Sequence, residues 1–419
     1  MGQTVYENVK LQGQSGYHRL AVENGSFIRV EPMSFKLSSE HTDLEGRLAI
    51  APFVDAHIHL DYVYTAPLLQ KGNCSGTLFE GIQRWAQIKS AFTKEEILER
   101  GRRAIRAQMR AGVQQARSHV DVTDPKLTGL EAMLELREEV KDFFTLQLVA
   151  FPQEGMISYS KGVELVEEAL KQGADVVGGI PHCEETREMG ILSIRKGVQL
   201  AEKYAKQIDF HCDETDDEQS RFLEVLAMQV KACGMGAMTT ASHACAMGSY
   251  HGAYRARLMK LIRESGIHFA VCPAENLHLQ GRGDDFPKRR GVAPVGELLD
   301  NGINVCFAQD SIEDPWYPLG SGNLMNVLDI GVHACQLTSP SQISGALDLV
   351  TRNAAKAVCI DQPYGFEAGK EASFVVLDAE TEKEALCRHA PVLRSVRAGQ
   401  VLFAAKPSVP YEAIDYLKT

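Results

Sequence analysis

The chain has 419 residues, 44% of them hydrophobic, and its 44 Lys and Arg against 55 Asp and Glu give a formal net charge of −11. That length accommodates one large domain with a smaller one appended. The acidic balance leaves no broad basic surface for a phosphate backbone, and no apolar run reaches the roughly 18 residues of a membrane-spanning helix, so polymeric nucleic acid and membrane are both excluded as partners.

From the start of the chain, residues 1–50 are Gly-punctuated and strand-like, with none of the apolar core of a secretory signal between Met1 and Arg19. Short apolar runs then alternate with amphipathic segments. The runs predict strands at Ile50–Val54, Gln115–Val120, Phe143–Phe151, Ala174–Ile180, Ile208–His211, Ala237–His243, Ile267–Cys272 and Ile303–Phe307. Between them, helical periodicity covers Thr93–Ala111, Leu127–Val140, Lys161–Gln172, Asp216–Cys233 and Gly252–Glu264. Gly112, Gly173, Gly234 and Gly266 close four of these helices, where a left-handed residue is needed. Eight strands alternating with helices predict an α/β (β/α)8 barrel of the TIM type over residues 51–361. A doubly wound open sheet is the alternative, although no GxGxxG follows the first strand. The end of the chain turns strand-like again, most clearly at Phe374–Leu377 and Val396–Val401. Residues 1–50 and 362–419 are therefore expected to join in one small β-sandwich domain. The ten cysteines form no CxxC pair, and several sit in apolar runs, as at Cys272 and Cys306. They read as reduced, buried thiols of a cytoplasmic protein.

The chemistry gathers at the predicted strand ends. His57 and His59 follow the first strand two residues apart, so extended backbone puts both imidazoles on one face. His211 ends the fifth strand, His243 ends the sixth, and Asp310 follows the eighth. All lie where a barrel assembles its site, at the C-terminal ends of strands. Imidazoles with one carboxylate suit Zn2+ or Fe2+ and leave room for a water, whose pKa such a cation lowers toward about 7. Glu214, three residues beyond His211, reaches the same pocket if the chain turns there.

The segments Pro52–Asp61, Ser75–Gly81, Phe151–Gly155, His211–Glu214, Ala241–His243 and Asp310–Ser311 followed by Asp314–Trp316 resemble bacterial cytosine deaminase of the amidohydrolase superfamily. The likeness continues through Asp216–Arg221, His278–Arg282 and Pro287–Gly291 and runs over nearly the whole chain in order. Carried over position by position, it implies that His57, His59, His211 and Asp310 hold one divalent metal, Fe2+ or Zn2+. It further implies that Glu214, His243 and Asp310 move protons, that Gln153 reads the base's carbonyl edge and that Trp316 packs near the ring. The substrate implied is a small nucleobase, and the assembly a homo-oligomer. His119 is expected to be a hydrogen-bonded core histidine. The stretch Ala174–Glu184 contains no lysine to bridge two metals, which favours one; only Cys183 or Glu184 could support a second.

One departure bears on substrate choice. Cytosine deaminases carry an acidic pair preceded by His at the end of the eighth strand, and this chain has Gln309-Asp310-Ser311. A serine in place of an acid, with Leu78 and Trp316 close by, implies a pocket that accepts 5-methylcytosine, yielding thymine, as well as cytosine. Other aminated heterocycles such as isoguanine or creatinine, and ring opening of a cyclic amide, are the alternatives.

Overall fold

A computed structural model describes residues 2–33, 37–360 and 364–406, so the expected tail 407–419 and the junction 361–363 lie outside the described residues. The chain divides into two compact units, one of residues 53–363 and one of residues 1–52 with 364–419. The predicted strand Ile50–Val54 straddles that division and is in fact two: Leu48–Ile50 in the smaller unit and Phe53–Ile58 in the larger. Pro52 has no N–H to continue a ladder, and the strand breaks there.

The larger unit contains eight parallel strands: β1 Phe53–Ile58, β2 Val113–Asp121, β3 Thr145–Phe151, β4 Val176–Gly179, β5 Gln207–Cys212, β6 Thr239–His243, β7 His268–Val271 and β8 Val305–Phe307. Neighbours pair in chain order, and the ring closes through a parallel bridge between Ile58 and Asp310. At that seam the Asp310 N–H donates to the His57 carbonyl at 2.8 Å, and the His59 N–H to the Asp310 carbonyl at 3.1 Å. The strands carry the fully buried Phe53, Phe210, Phe269 and Phe307, of which Phe210 and Phe307 pack against helix residues Gly197 and Gly331.

Helices form where capping and periodicity agree. Thr93 and Glu96 make a capping box ahead of Lys94–Arg110. Gly112, Gly173, Gly234 and Gly266 all have positive φ, as the predicted helix ends require. Two local readings change. Asp216–Arg221 is loop, and the helix begins at Phe222, because the buried Asp213 carboxylate accepts the N–H groups of Phe222 and Leu223 at 3.0 and 2.9 Å. The long helix Arg187–Tyr204 was not anticipated, because Gly190 and Gly197 interrupt its pattern. Both glycines serve packing: a Cβ at Gly197 would meet the Phe210 ring at 2.4 Å, and one at Gly190 the Phe222 ring at 2.4 Å.

In the smaller unit the β-sandwich expected from the two ends takes the form of one continuous mixed sheet. It runs Gln400–Ala404, Val392–Arg397, Phe374–Leu377, Leu48–Ile50, Thr4–Leu11, Tyr17–Glu23 and Ser26–Pro32, with Thr42–Asp43 on Thr4–Leu11. Tyr6, Phe27, Phe366 and Phe374 anchor its own core. The predicted strand Val396–Val401 is a hairpin instead, turning at Ala398 and Gly399, whose φ values of 45° and 76° fit a two-residue turn.

Candidate metal and catalytic site

The sequence-predicted metal ligands come together at the C-terminal end of the barrel. His57 Nε2 lies 3.5 Å and His59 Nε2 3.4 Å from Asp310 Oδ1, and His59 Nε2 is 3.1 Å from His211 Nε2. His57, His59 and His211 offer ligand atoms within 4.8 Å of one another, and so do His57, His243, Asp310 and Cys272. Burial pushes the Cys272 thiol well up.

Burial also keeps the imidazoles neutral: His59 is lowered to about 4, and His211 and His243 fall well below the usual histidine value. Neutral rings converging on a carboxylate can each turn a ring nitrogen toward one point. Ring nitrogens of His57, His59, His211 and His243 are left without a hydrogen-bond partner among the described residues. This donor set fits a divalent cation.

Beneath the ligands, His57 Nδ1 is 2.8 Å from the Ser242 hydroxyl, which donates to Asp209 at 2.7 Å; Arg117 in turn donates to Asp209 at 2.9 Å. Because the Ser242 proton is committed to Asp209, Ser242 accepts from His57 Nδ1, leaving the Nε2 lone pair free. His119 is buried as expected but not hydrogen-bonded: its ring centroid is 4.0 Å from that of His57, and its Nε2 is 3.7 Å from Asp209. The buried Arg117 cation beside Asp209 makes the His57, His119 and Asp209 group unsuitable for a second metal. Glu184 is equally committed. Its carboxylate accepts the N–H groups of Met156 and Ser158, each at 2.8 Å, and the Ser158 hydroxyl at 2.7 Å. Cys183 is held as a thiol by burial.

The proton-handling candidates are also brought together. His243 Nδ1 is 3.4 Å from Glu214 Oε1, 3.7 Å from Asp310 Oδ2 and 3.1 Å from the Asn276 amide. His243 and Asp310 both adopt left-handed backbone, with φ of 68° and 67°. Such strain in non-glycine residues persists where the surroundings enforce it. Burial, then the Asp310 charge, raises Glu214 well above the usual carboxylate range. Burial works the same way on Asp310, but the imidazoles of His57 and His243 hold it well below that range. The site thus pairs a protonated acid with an ionised one, the separation that acid–base chemistry uses.

Over this cluster lies a small cavity, of about 20 Å³, lined by Gln153, Leu78, Ser311 and Trp316, together with His59, His211, Glu214 and Asp310. Every substrate-contacting candidate from the sequence faces it. The Trp316 indole N–H donates to the Leu78 carbonyl at 3.2 Å, so the loop after β8 is tied to the helix Leu78–Ile88. Tyr62, Leu279 and Glu275 also line the cavity and were missed. Tyr62 stacks on His59 with centroids 4.6 Å apart. Glu275 follows β7, so the rule that found the other residues, polar side chains just past a strand's C-terminal end, would have found it.

The amidohydrolase family model matches residues 40–407. The crystal structure of 5-methylcytosine deaminase from Klebsiella pneumoniae liganded with 5-fluorocytosine is 48% identical, with a TM-score of 0.95, over 98% of this chain and 99% of that one. N-isopropylammelide isopropyl amidohydrolase of Pseudomonas sp. strain ADP is 27% identical over 95% of this chain and 96% of its own. Pterin deaminase of Rhizobium rhizogenes is 25% identical over 89% of this chain and 84% of its own. No helix among the described residues is long and apolar enough to cross a membrane.

Proposed function

From the fact that the chain belongs to the amidohydrolase family, hydrolases that act on C–N bonds with a metal ion, we propose that it is an aminohydrolase of free pyrimidine bases, with 5-methylcytosine preferred and cytosine accepted. The observation that carries this reading is the placement of Glu214 3.4 Å from His243, itself 3.7 Å from Asp310, at the cavity lined by Gln153, Leu78, Ser311 and Trp316. The 48% identity to the Klebsiella 5-methylcytosine deaminase supports the substrate.

His57, His59, His211 and Asp310 would hold one Fe2+ or Zn2+. When bound, that cation polarises water and lowers its pKa toward about 7. His243 orients the attacking water against C4, and Asp310 accepts one of its protons. Glu214 donates its proton to N3, which makes C4 more electrophilic. The new C–O bond forms as the C4–N3 double bond becomes single, its electron pair taking up the proton at N3. Asp310 then delivers the water's proton to the departing amine, and ammonia leaves. The remaining hydroxyl proton returns to Glu214 as the C4 carbonyl forms, so N3 keeps the proton it received and both acids are restored. Gln153 reads the carbonyl edge, while Leu78 and Trp316 pack against the ring and Ser311 leaves room beside C5.

Ammonia release from cytosine, 5-methylcytosine, isoguanine and creatinine by metal-reconstituted enzyme tests the reading. The largest kcat/KM is expected for 5-methylcytosine. A preference for isoguanine or creatinine, or ring opening without ammonia, overturns it.

A further inference from the structure

Glu275 sits in the helix Pro273–Leu279, is 1% exposed and lines the cavity. Neither of its carboxyl oxygens has a hydrogen-bond partner of good geometry among the described residues, and the Ser311 hydroxyl that comes near is shared with Asp314. A buried carboxyl so poorly partnered is costly. Asn276 Oδ1 and Asp314 Oδ2 are left without a partner as well. Asn276 meets His243 at 3.1 Å, and Asp314 Oδ1 accepts the Trp316 and Tyr317 N–H groups at 3.0 and 3.1 Å. The Ser311 side chain lies next to both Glu275 and Asp314. The cavity edge at Ser311 is therefore small and uncharged in itself, yet a poorly partnered carboxyl stands directly beside it.

Resting on the pyrimidine reading, in which Ser311 faces C5, we infer that Glu275 is a specificity-determining residue that accepts a hydrogen bond from a substituent at that carbon, so that the pocket takes 5-hydroxymethyl as well as 5-methyl pyrimidines. A methyl group fills the space and offers neither oxygen a proton. A hydroxymethyl group fills the same space and donates to one of them. A site built around a hydrogen bond discriminates by the group left unpaired when the partner is missing.

The test compares kcat/KM for 5-hydroxymethylcytosine and 5-methylcytosine in the parent enzyme, Glu275→Leu and Glu275→Gln, each checked for metal content and cooperative unfolding. The parent is expected to use the hydroxymethyl compound at least as well as the methyl one. Glu275→Leu should lower the hydroxymethyl-to-methyl ratio by at least about tenfold, the scale of one buried hydrogen bond. Glu275→Gln, whose carbonyl still accepts, should hold the ratio within about threefold of the parent. A parent that favours the methyl compound more than about tenfold overturns the inference without any variant. So does a ratio unmoved in Glu275→Leu, or one that falls as far in Glu275→Gln. A parent that releases ammonia from neither compound overturns the pyrimidine reading and this inference with it; a parent active on 5-methylcytosine with an unmoved ratio overturns this inference alone.

Discussion

The Asp310 N–H donates to the His57 carbonyl at 2.8 Å, so the hydrogen bond that seals the barrel joins the backbones of two proposed metal ligands. Their spacing is set by the seam and not by loop conformation. His57→Ala and Asp310→Ala are each expected to bring bound metal below about a tenth of stoichiometric and to abolish turnover, since each removes a ligand. Metal analysis of the purified variants decides; full occupancy with normal activity in either would remove it from the ligand set.

Ser242 holds His57 from behind through its contacts to Nδ1 and Asp209, away from the Nε2 that faces Asp310. Ser242→Ala should weaken metal affinity by about 10- to 100-fold, the usual effect of losing a partner behind a ligand. Competition against a chromogenic chelator measures it. Affinity equal to the parent's would mean that packing alone orients the ring.

Glu214→Gln should keep its metal and lose at least about 10²-fold in kcat, because an amide carries no transferable proton. The pH profile gives a second readout. Glu214 is raised well above the carboxylate range by burial, so its protonated, donating form persists to higher pH and is lost as pH rises through the folded-state value. Activity should therefore fall on the alkaline side, and the residual activity of Glu214→Gln should lack that limb.

Ser311→Asp should shift the kcat/KM ratio of cytosine to 5-methylcytosine toward cytosine by about 10- to 200-fold, the worth of one well-accommodated methyl. Steady-state kinetics with both bases suffice. An unmoved ratio would transfer the choice to Leu78 or Trp316.

Glu184 fastens the turn that follows Gln153 by accepting from Met156 and Ser158. Glu184→Gln should raise KM by about tenfold, with a smaller change in kcat and unchanged metal content, because the loss of charge-assisted bonds loosens the loop and not the ligands. Loss of metal in this variant would restore Glu184 as a ligand.

The proposed ligands and acids were legible because a barrel assembles its site where apolar runs end, and His211, His243 and Asp310 sit there in plain sequence. Glu275 obeys the same rule but follows a strand whose helix begins almost at once, so it reads as an ordinary charged helix residue. The start of the helix at Phe222 was hidden because its cap, Asp213, lies nine residues upstream. The helix Arg187–Tyr204 was hidden because its glycines answer to aromatic rings on other segments, Phe210 and Phe222, which local periodicity does not report.

The tie between the Trp316 indole and the Leu78 carbonyl joins two segments that lie far apart along the chain. Trp316, Ser311 and Gln153 are each no more than 4% exposed, so the cavity wall is made of side chains already packed into the protein. A substitution at Leu78 or Trp316 therefore reaches both segments at once, and its effect belongs to the join and not to either side alone.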